Sequence, residues 1–259
     1  MLQALLRNKL KDSFQDPHFK PSEDSLTSSV IGLLQYLPDD LFWQLLRDSC
    51  GKLSELPKDV GRILTVNFWE RMQPDRMCNS SFVEPDVWIE CDMYHIIIEA
   101  KKYDSCGQEE EQWRKEIMSF NKTFDDNNKE LVFIALGGNV SLQDCTITVN
   151  GKQYIVHTSS WYNLLCEVSN YLHSLQINNS KDSKQEYIRL LNDLISIFAK
   201  HGHLKIQWLE SISMININKN SKKNVYALLD FDNKVILQDF CKPIKQITYN
   251  NILDIWKTR

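Results

Sequence analysis

The sequence lacks the features of a secreted, disulfide-bonded or membrane-spanning protein. Its seven cysteines are scattered, odd in number and without a CxxC pair, so neither a disulfide framework nor a zinc site is predicted. No apolar run approaches the roughly 20 residues that cross a bilayer. The charged stretch 1–14 is unlike a secretory signal and predicts an amphipathic helix packed on the protein. These absences favour a cytoplasmic protein that does not contact a membrane.

An overall positive charge is also missing. The formal net charge is -4, which gives no global attraction to nucleic acid. The charge is uneven, because residues 181–259 carry 13 basic and 8 acidic side chains, whereas residues 1–180 carry 17 and 26. The basic region is either a surface for an anionic partner or a solvated, lysine-rich surface.

The chain of 259 residues has an ordinary globular composition and fits one large domain, or one domain with an appendage. The polar run from Gln176 to Gln185 is the best linker candidate. We therefore divide the chain into an α/β domain at 1–180 and a basic C-terminal extension at 181–259. The extension contains helix and strand patterns and either stands apart or packs on the same domain.

The secondary-structure patterns predict an α/β fold with a mixed sheet led by a hairpin. Two apolar segments, 82–91 and 94–103, are joined by Asp92-Met93, which is short enough for an antiparallel hairpin. Asn150-Gly151 is typical of a second hairpin turn. The other predicted elements are helices at 22–36, from Pro38 to near Gly51, at 107–124, 161–175 and 186–199, and strands after Gly61 and at 130–138, 152–161 and 225–232.

Three charges lie in and around the apolar run of the first hairpin. Because side chains alternate along a strand, Glu99 and Lys101 share one face, and the predicted pairing brings Asp86 close to Glu99. Two adjacent carboxylates repel, and one of them would take up a proton. A divalent cation removes this conflict, and hard oxygen ligands suit Mg²⁺ or Mn²⁺. The pattern therefore predicts a metal site, and a salt-bridged hairpin face is the alternative.

Pro85-Asp86, followed thirteen positions later by Glu99-Ala100-Lys101, resembles the motif of the PD-(D/E)XK nuclease superfamily. That superfamily includes restriction endonucleases, Holliday-junction resolvases and many phage-defence nucleases. Other PD and DxK matches occur in this chain, but only this pair lies on two successive apolar strands. The resemblance covers roughly residues 20–175.

Two flanking features add to the resemblance. The family commonly carries an acid on the helix before the sheet, and Glu23 occupies that place, with Asp24 as a competitor. The family also often has a glutamine on the following helix, and Gln112 matches it. The run "EAKKYDS…QWRKE" in particular is similar to "EAKYYS…QLxRE" of a defence-nuclease-type branch.

The resemblance implies a restriction-endonuclease-like core, with a helix, a mixed central sheet and flanking helices, and a nuclease-like domain at 1–180. It further implies Mg²⁺-dependent hydrolysis of phosphodiester bonds, with Mn²⁺ able to substitute. DNA is the expected substrate, RNA the less expected one, and defence against foreign DNA the associated role. The acidic composition of residues 1–180 predicts weak intrinsic affinity for DNA, so a targeting protein or a homodimer is expected to assist binding. The alternative prediction is a catalytically silent subunit of the same fold that binds nucleic acid or assembles with a partner protein.

The resemblance also implies roles for single residues. Asp86, Glu99 and the Ala100 carbonyl would bind Mg²⁺. Lys101 would orient or deprotonate the attacking water, or stabilise the phosphate during the reaction.

Further residues have expected roles around this centre. Glu23 would hold a metal-bound water or a second ion, and Gln112 would fix the phosphate or Lys101. Lys102 is expected to point away from Glu99, and Glu90 and His95 are expected to be structural. Candidate phosphate contacts are made by lysines: Lys115, Lys122, Lys219, Lys222 and Lys223.

Overall fold

The computed structural model describes residues 21–51, 53–72, 83–124, 129–177 and 185–205. The described helices are Glu23–Leu34 (α1), Asp39–Asp48 (α2), Glu110–Thr123 (α3), Trp161–Ile177 (α4) and Gln185–Lys200 (α5). The described strands are Ile63–Phe68 (β1), Val87–Cys91 (β2), Tyr94–Ala100 (β3), Glu130–Leu136 (β4), Cys145–Val149 (β5) and Lys152–Ser159 (β6). The helix predicted within 1–14, the strand predicted at 225–232 and the proposed boundary at 180 lie outside these residues.

The six strands form one mixed sheet in the order β1-β2-β3-β4-β6-β5. The strands β1 and β3 each run antiparallel to β2, which lies between them, and β3, β4 and β6 are parallel. The helix α3 connects β3 to β4, as a parallel pair requires, and β5 returns antiparallel to β6. The prediction of an α/β fold with a mixed sheet led by an antiparallel hairpin is confirmed.

The two faces of the sheet are covered differently. Buried residues of α1, α2, α4 and α5 form one hydrophobic core with the inward side chains of β2 and β3, including Ile96 and Ile98. On the opposite face, α3 is the described helix that packs against the sheet, with Ile97 of β3 and Phe133 of β4 in the same cluster. Because successive side chains alternate, Glu99 of β3 lies on the face that α3 covers. Within the described ranges, no helix is both long and apolar enough to cross a membrane.

Several local predictions are confirmed. Ser22 caps α1 in a reciprocal capping box with Ser25, which begins the helix at Glu23. Asn150 and Gly151 both have positive φ, 51° and 80°, as a tight turn between β5 and β6 requires. The helix α2 ends at Asp48, before the predicted stop near Gly51.

Candidate active site

The hairpin places Asp86 opposite Glu99 at its open end. Val87 pairs with Ile98 in the β2–β3 register, so Asp86 and Glu99 are the next facing positions. Asp86 Oδ2 accepts a hydrogen bond of 2.9 Å from the Ala100 amide, and Oδ1 accepts one of 3.2 Å from the Trp69 indole. Both carboxyl groups are nearly inaccessible, with Asp86 8% and Glu99 2% exposed. The predicted juxtaposition of the two acids is confirmed in its register.

Glu99 is held by side chains from its own strand and from α3. The Lys101 ammonium forms an ion pair with Glu99 Oε1. The Gln112 amide nitrogen donates a hydrogen bond of 2.7 Å to the same oxygen. Gln112 was expected to fix the phosphate or Lys101, and in the structure it fixes Glu99.

The acid contributed by α1 is Glu23. Its Oε1 lies 3.8 Å from the Lys101 ammonium, and its Oε2 accepts a hydrogen bond of 2.9 Å from the Lys102 amide. The capping box begins α1 at this residue, and so directs Glu23 toward the end of β3. Of the two competing acids Glu23 and Asp24, Glu23 is therefore the one that contacts Lys101.

The backbone and the aliphatic stem of Lys101 are fixed by neighbouring elements. Its amide donates to the Leu136 carbonyl at 2.8 Å, and its carbonyl accepts from the Trp161 indole at 2.7 Å. Gly137 and Gly138 follow β4 with φ of 72° and 69°. A Cβ at Gly138 would lie 2.7 Å from the Lys101 Cβ, and one at Gly137 would lie 2.3 Å from the Lys101 carbonyl oxygen. Glycine is required here for both conformation and space.

Burial and mutual repulsion shift the acidity of this centre. Burial, reinforced by the charge of Glu99, raises the pKa of Asp86 well above its usual range. Burial also raises the pKa of Glu99, although Lys101 opposes the shift. Burial alone would lower the pKa of Lys101, but the neighbouring carboxylates raise it overall, so the side chain stays an ammonium. The site thus gathers carboxyl groups in a region of low polarity, where burial opposes their ionisation.

Sequence reasoning missed a further carboxyl group, that of Glu116 on α3. This side chain is 1% exposed and shares a hydrogen bond with Glu99. In the part of the chain that the structure describes, its Oε2 has no hydrogen-bond partner. Two signals were present in the sequence. Glu116 follows Gln112 by one helical turn, so the two residues share a face, and it stands beside the apolar stripe of Trp113, Ile117 and Phe120.

The donor chemistry fits a hard divalent cation. Three carboxyl groups, those of Asp86, Glu99 and Glu116, are buried beside the Lys101 ammonium, and Oε2 of Glu116 has no hydrogen-bond partner within the described ranges. Carboxylate oxygens are the ligands that Mg²⁺ and Mn²⁺ prefer. In the part of the chain that the structure describes, no group of three or more His, Cys, Asp or Glu side chains is already arranged to hold an ion.

The candidate phosphate-binding lysines lie in different parts of the chain. Lys115 and Lys122 are on α3, the helix that covers the face of the site. The Lys115 ammonium lies 3.6 Å from Oε1 of Glu111, and both side chains are exposed. The remaining candidates lie outside the described residues: Lys219, Lys222 and Lys223.

No protein-family model matches the chain. The sequence is similar to the uncharacterized protein PM0110 of Pasteurella multocida strain Pm70, with 28% identity over 232 residues. The aligned region covers 84% of this chain and 87% of that protein, so the similarity extends over most of both chains.

Proposed function

We propose that this protein is a Mg²⁺-dependent nuclease of the PD-(D/E)XK type, with a restriction-endonuclease-like core, and that it hydrolyses phosphodiester bonds of DNA. The observation that carries the proposal is the meeting of Asp86, Glu99 and Lys101 at the open end of one hairpin. The helix α1 before the sheet and the helix α3 after the hairpin support it, because each contributes a polar side chain to the same centre.

The residues that would hold the cation are Asp86, Glu99 and the carbonyl of Ala100. When bound, Mg²⁺ or Mn²⁺ supplies positive charge for the scissile phosphate and lowers the pKa of a coordinated water. Asp86 is oriented for this role by the Ala100 amide and the Trp69 indole, each bonded to a different oxygen. The two acids are thus fixed before any ligand arrives, as an efficient site requires.

The other polar residues act on these groups. Lys101 is an ammonium between Glu99 and Glu23, and in this position it can orient the attacking water or stabilise the phosphate. Gln112 holds Glu99 from the helix side. Glu23 accepts a hydrogen bond from the Lys102 amide and pairs with the Lys101 ammonium. Both contacts support a role for Glu23 in positioning Lys101 rather than in binding the cation directly. Gln112 and Glu23 thus position the other groups of the site, whereas Lys101 acts on the water or the phosphate.

DNA in a defence role, bound with help from a targeting protein or a second copy, is the biological setting we propose. The acidic composition of residues 1–180 supports weak intrinsic binding, because phosphates require local positive charge. Lys115 and Lys122 are the described candidates for phosphate contacts. Tight binding of the isolated protein to DNA at physiological salt, measured by electrophoretic mobility, would contradict the need for a partner.

The decisive experiment is cleavage by the full-length protein with Mg²⁺, offered plasmid, linear duplex DNA, single-stranded DNA and RNA. We expect cleavage of DNA, and a loss of roughly 10²–10⁴-fold in Lys101→Ala, because a positioned proton-transfer or charge-stabilising group contributes that much. Lys102→Ala is the matched control. Its amide still bonds Glu23, and its ammonium lies over the Tyr103 ring at 5.0 Å, so cleavage should be unchanged.

The same panel tests the alternatives. Cleavage of RNA alone would redirect the proposal to an RNA nuclease. If the folded protein cleaves no substrate at any Mg²⁺ or Mn²⁺ concentration, the proposal fails. The prediction of a catalytically silent subunit, which binds nucleic acid or assembles with a partner protein, would then take its place.

A further inference from the structure

Glu116 presents an unsatisfied polar group in the interior. Its side chain is 1% exposed, and its Oε2 has no hydrogen-bond partner among the described residues. Buried polar atoms are almost always satisfied, because an unpaired one costs about 1–3 kcal/mol in protein interiors. A helix can accommodate an apolar residue at such a position without that cost. The carboxyl group of Glu116 therefore needs a reason beyond packing.

The position of Glu116 supplies that reason. It shares a hydrogen bond with Glu99 and contacts Gln112, so it lies against the centre described above from the side of α3. The ammonium of this region, Lys101, pairs with Glu99 and Glu23. The β2–β3 hairpin thus brings the carboxyl groups of Asp86 and Glu99 to the site, and α3 brings that of Glu116, whose Oε2 is available to a ligand.

We propose that Glu116 is a further ligand of the cation site. Its Oε2 would bind the same hard divalent cation, Mg²⁺ or Mn²⁺, as Asp86 and Glu99. This inference rests on the proposed function in so far as it uses the cation site of Asp86 and Glu99. A divalent cation is the partner that suits a buried carboxylate oxygen beside other carboxylates, because it satisfies the oxygen and offsets their repulsion.

A purely structural role makes a different prediction. A neutral Glu116 would only donate a hydrogen bond to Glu99, and a glutamine amide could donate the same bond. Glu116→Gln keeps the size and the donor and removes the anionic ligand. The two roles are therefore separated by the cation affinity of this variant.

The experiment is a titration of the full-length protein with Mn²⁺ in the absence of nucleic acid, followed by the electron paramagnetic resonance signal of free Mn²⁺. We expect Asp86→Asn and Glu116→Gln each to weaken the Mn²⁺ Kd at least about tenfold, the size of effect seen when groups around a metal are removed. Glu111→Gln, an exposed position on the same helix, should leave the Kd unchanged. An unchanged Kd in Glu116→Gln overturns the inference.

A second variant tests direct contact with the ion. A thiolate prefers soft ions, so Glu116→Cys should bind Cd²⁺ with the ultraviolet charge-transfer band of a Cd–S bond, beyond any band of the wild type. Glu111→Cys is the control for a cysteine on the same helix. Absence of the additional band in a folded Glu116→Cys protein contradicts the inference. Thermal unfolding in chelator checks folding of each variant, and Glu116→Asp, with an expected intermediate Kd, replaces any that fails to fold.

The outcomes distinguish this inference from the proposed function. If Glu116→Gln binds Mn²⁺ like the wild type while the wild type cleaves DNA, the inference fails and the nuclease stands. If Glu116→Gln weakens Mn²⁺ binding but the wild type cleaves nothing, the ligand assignment stands and the nuclease fails. A wild type that binds no Mn²⁺ overturns both.

Discussion

The two ends of the β2–β3 hairpin carry similar charges in different surroundings. At the turn end, Glu90 pairs with Lys129 at 2.8 Å, and its side chain remains 31% exposed. At the open end, Asp86 and Glu99 face each other with almost no exposure, and Glu116 adds a third buried carboxyl group. Each carboxylate at the turn end thus has its own cation, Lys129 for Glu90 and Arg62 for Asp92, whereas carboxyl groups outnumber the ammonium at the open end.

That difference separates structural charges from chemical ones. A partly exposed pair of opposite charges costs little and contributes little, so the turn end needs no further explanation. Buried like charges are costly, and they persist where a site uses them, as in metal centres and acid–base pairs. The aromatic packing of His95 against Trp88 and Phe124 also belongs to the turn end and fits the structural role predicted for His95.

The largest difference between the two ends should appear in cleavage. Glu99→Gln removes a proposed cation ligand and the ion-pair partner of Lys101, and we expect DNA cleavage to fall at least about 10²-fold. Glu90→Gln makes the same chemical change at the turn end of the hairpin and should leave cleavage within about twofold. Initial rates at saturating Mg²⁺ measure both. Equal losses in the two variants would remove the distinction between the ends.

A smaller but sharp effect is expected from the glycine behind Lys101. Gly138→Ala places a Cβ 2.7 Å from the Lys101 Cβ, so the lysine must move. We expect a loss of roughly tenfold or more in cleavage, since displacements near 1 Å at a site can cost up to about 10²-fold. We also expect the free energy of unfolding to fall by about 1–3 kcal/mol from overpacking.

Gly151→Ala is the control for this substitution. Gly151 has φ of 80° but no heavy atom within 4 Å of a Cβ, so it tests the strain of the left-handed conformation without a collision. It should lower stability by about 1–2 kcal/mol and leave cleavage unchanged. A Gly138→Ala protein with wild-type rates would show that the close approach to Lys101 has no bearing on activity.

The buried acids predict that the cation-free protein loses stability as the pH rises. Burial raises the pKa values of Asp86, Glu99 and Glu116 in the folded state. Protonated groups favour the folded state, so the stability they contribute is full below about pH 4 and is lost as the pH passes through the raised pKa values.

Urea unfolding in chelator between pH 5 and pH 8 measures this effect. We expect the free energy of unfolding of the wild type to fall, relative to that of Asp86→Asn, by on the order of 1 kcal/mol, because one pKa unit corresponds to about 1.4 kcal/mol. We compare the two proteins because the buried histidines His95 and His201 have lowered pKa values, which make the stability of both proteins rise with pH. The comparison removes this contribution. Parallel pH profiles would indicate that Asp86 is ionised without penalty.

Local periodicity was sufficient to predict the hairpin and its faces. The alternation of apolar and polar residues fixed which side chains share a face with Glu99, and the short connection at Asp92-Met93 fixed the register. The capping residue Ser22 likewise placed the start of α1, and with it Glu23. These features depend on neighbours in sequence, which is why one chain alone reveals them.

The surroundings of these residues could not be predicted in the same way. The indoles of Trp69 and Trp161, which bond Asp86 and the Lys101 carbonyl, lie 17 and 60 positions away from them in sequence. Gly137 and Gly138 marked only the end of a strand until the sheet placed them beside Lys101. Such contacts follow from the packing of distant elements, which no local pattern specifies.

The smallest effect should come from Lys129, at the turn end. Lys129→Ala breaks the pair with Glu90, whose side chains are both partly exposed, and we expect a loss of at most about 1 kcal/mol in stability with unchanged cleavage. A double-mutant cycle with Glu90→Gln gives the coupling energy of the pair directly. Because Glu90 lies on β2, the strand that directly follows Asp86, a change in cleavage would mean that the turn end positions Asp86 and Glu99. A silent result would confine the chemistry to the open end, where the carboxyl groups exceed their cationic partner.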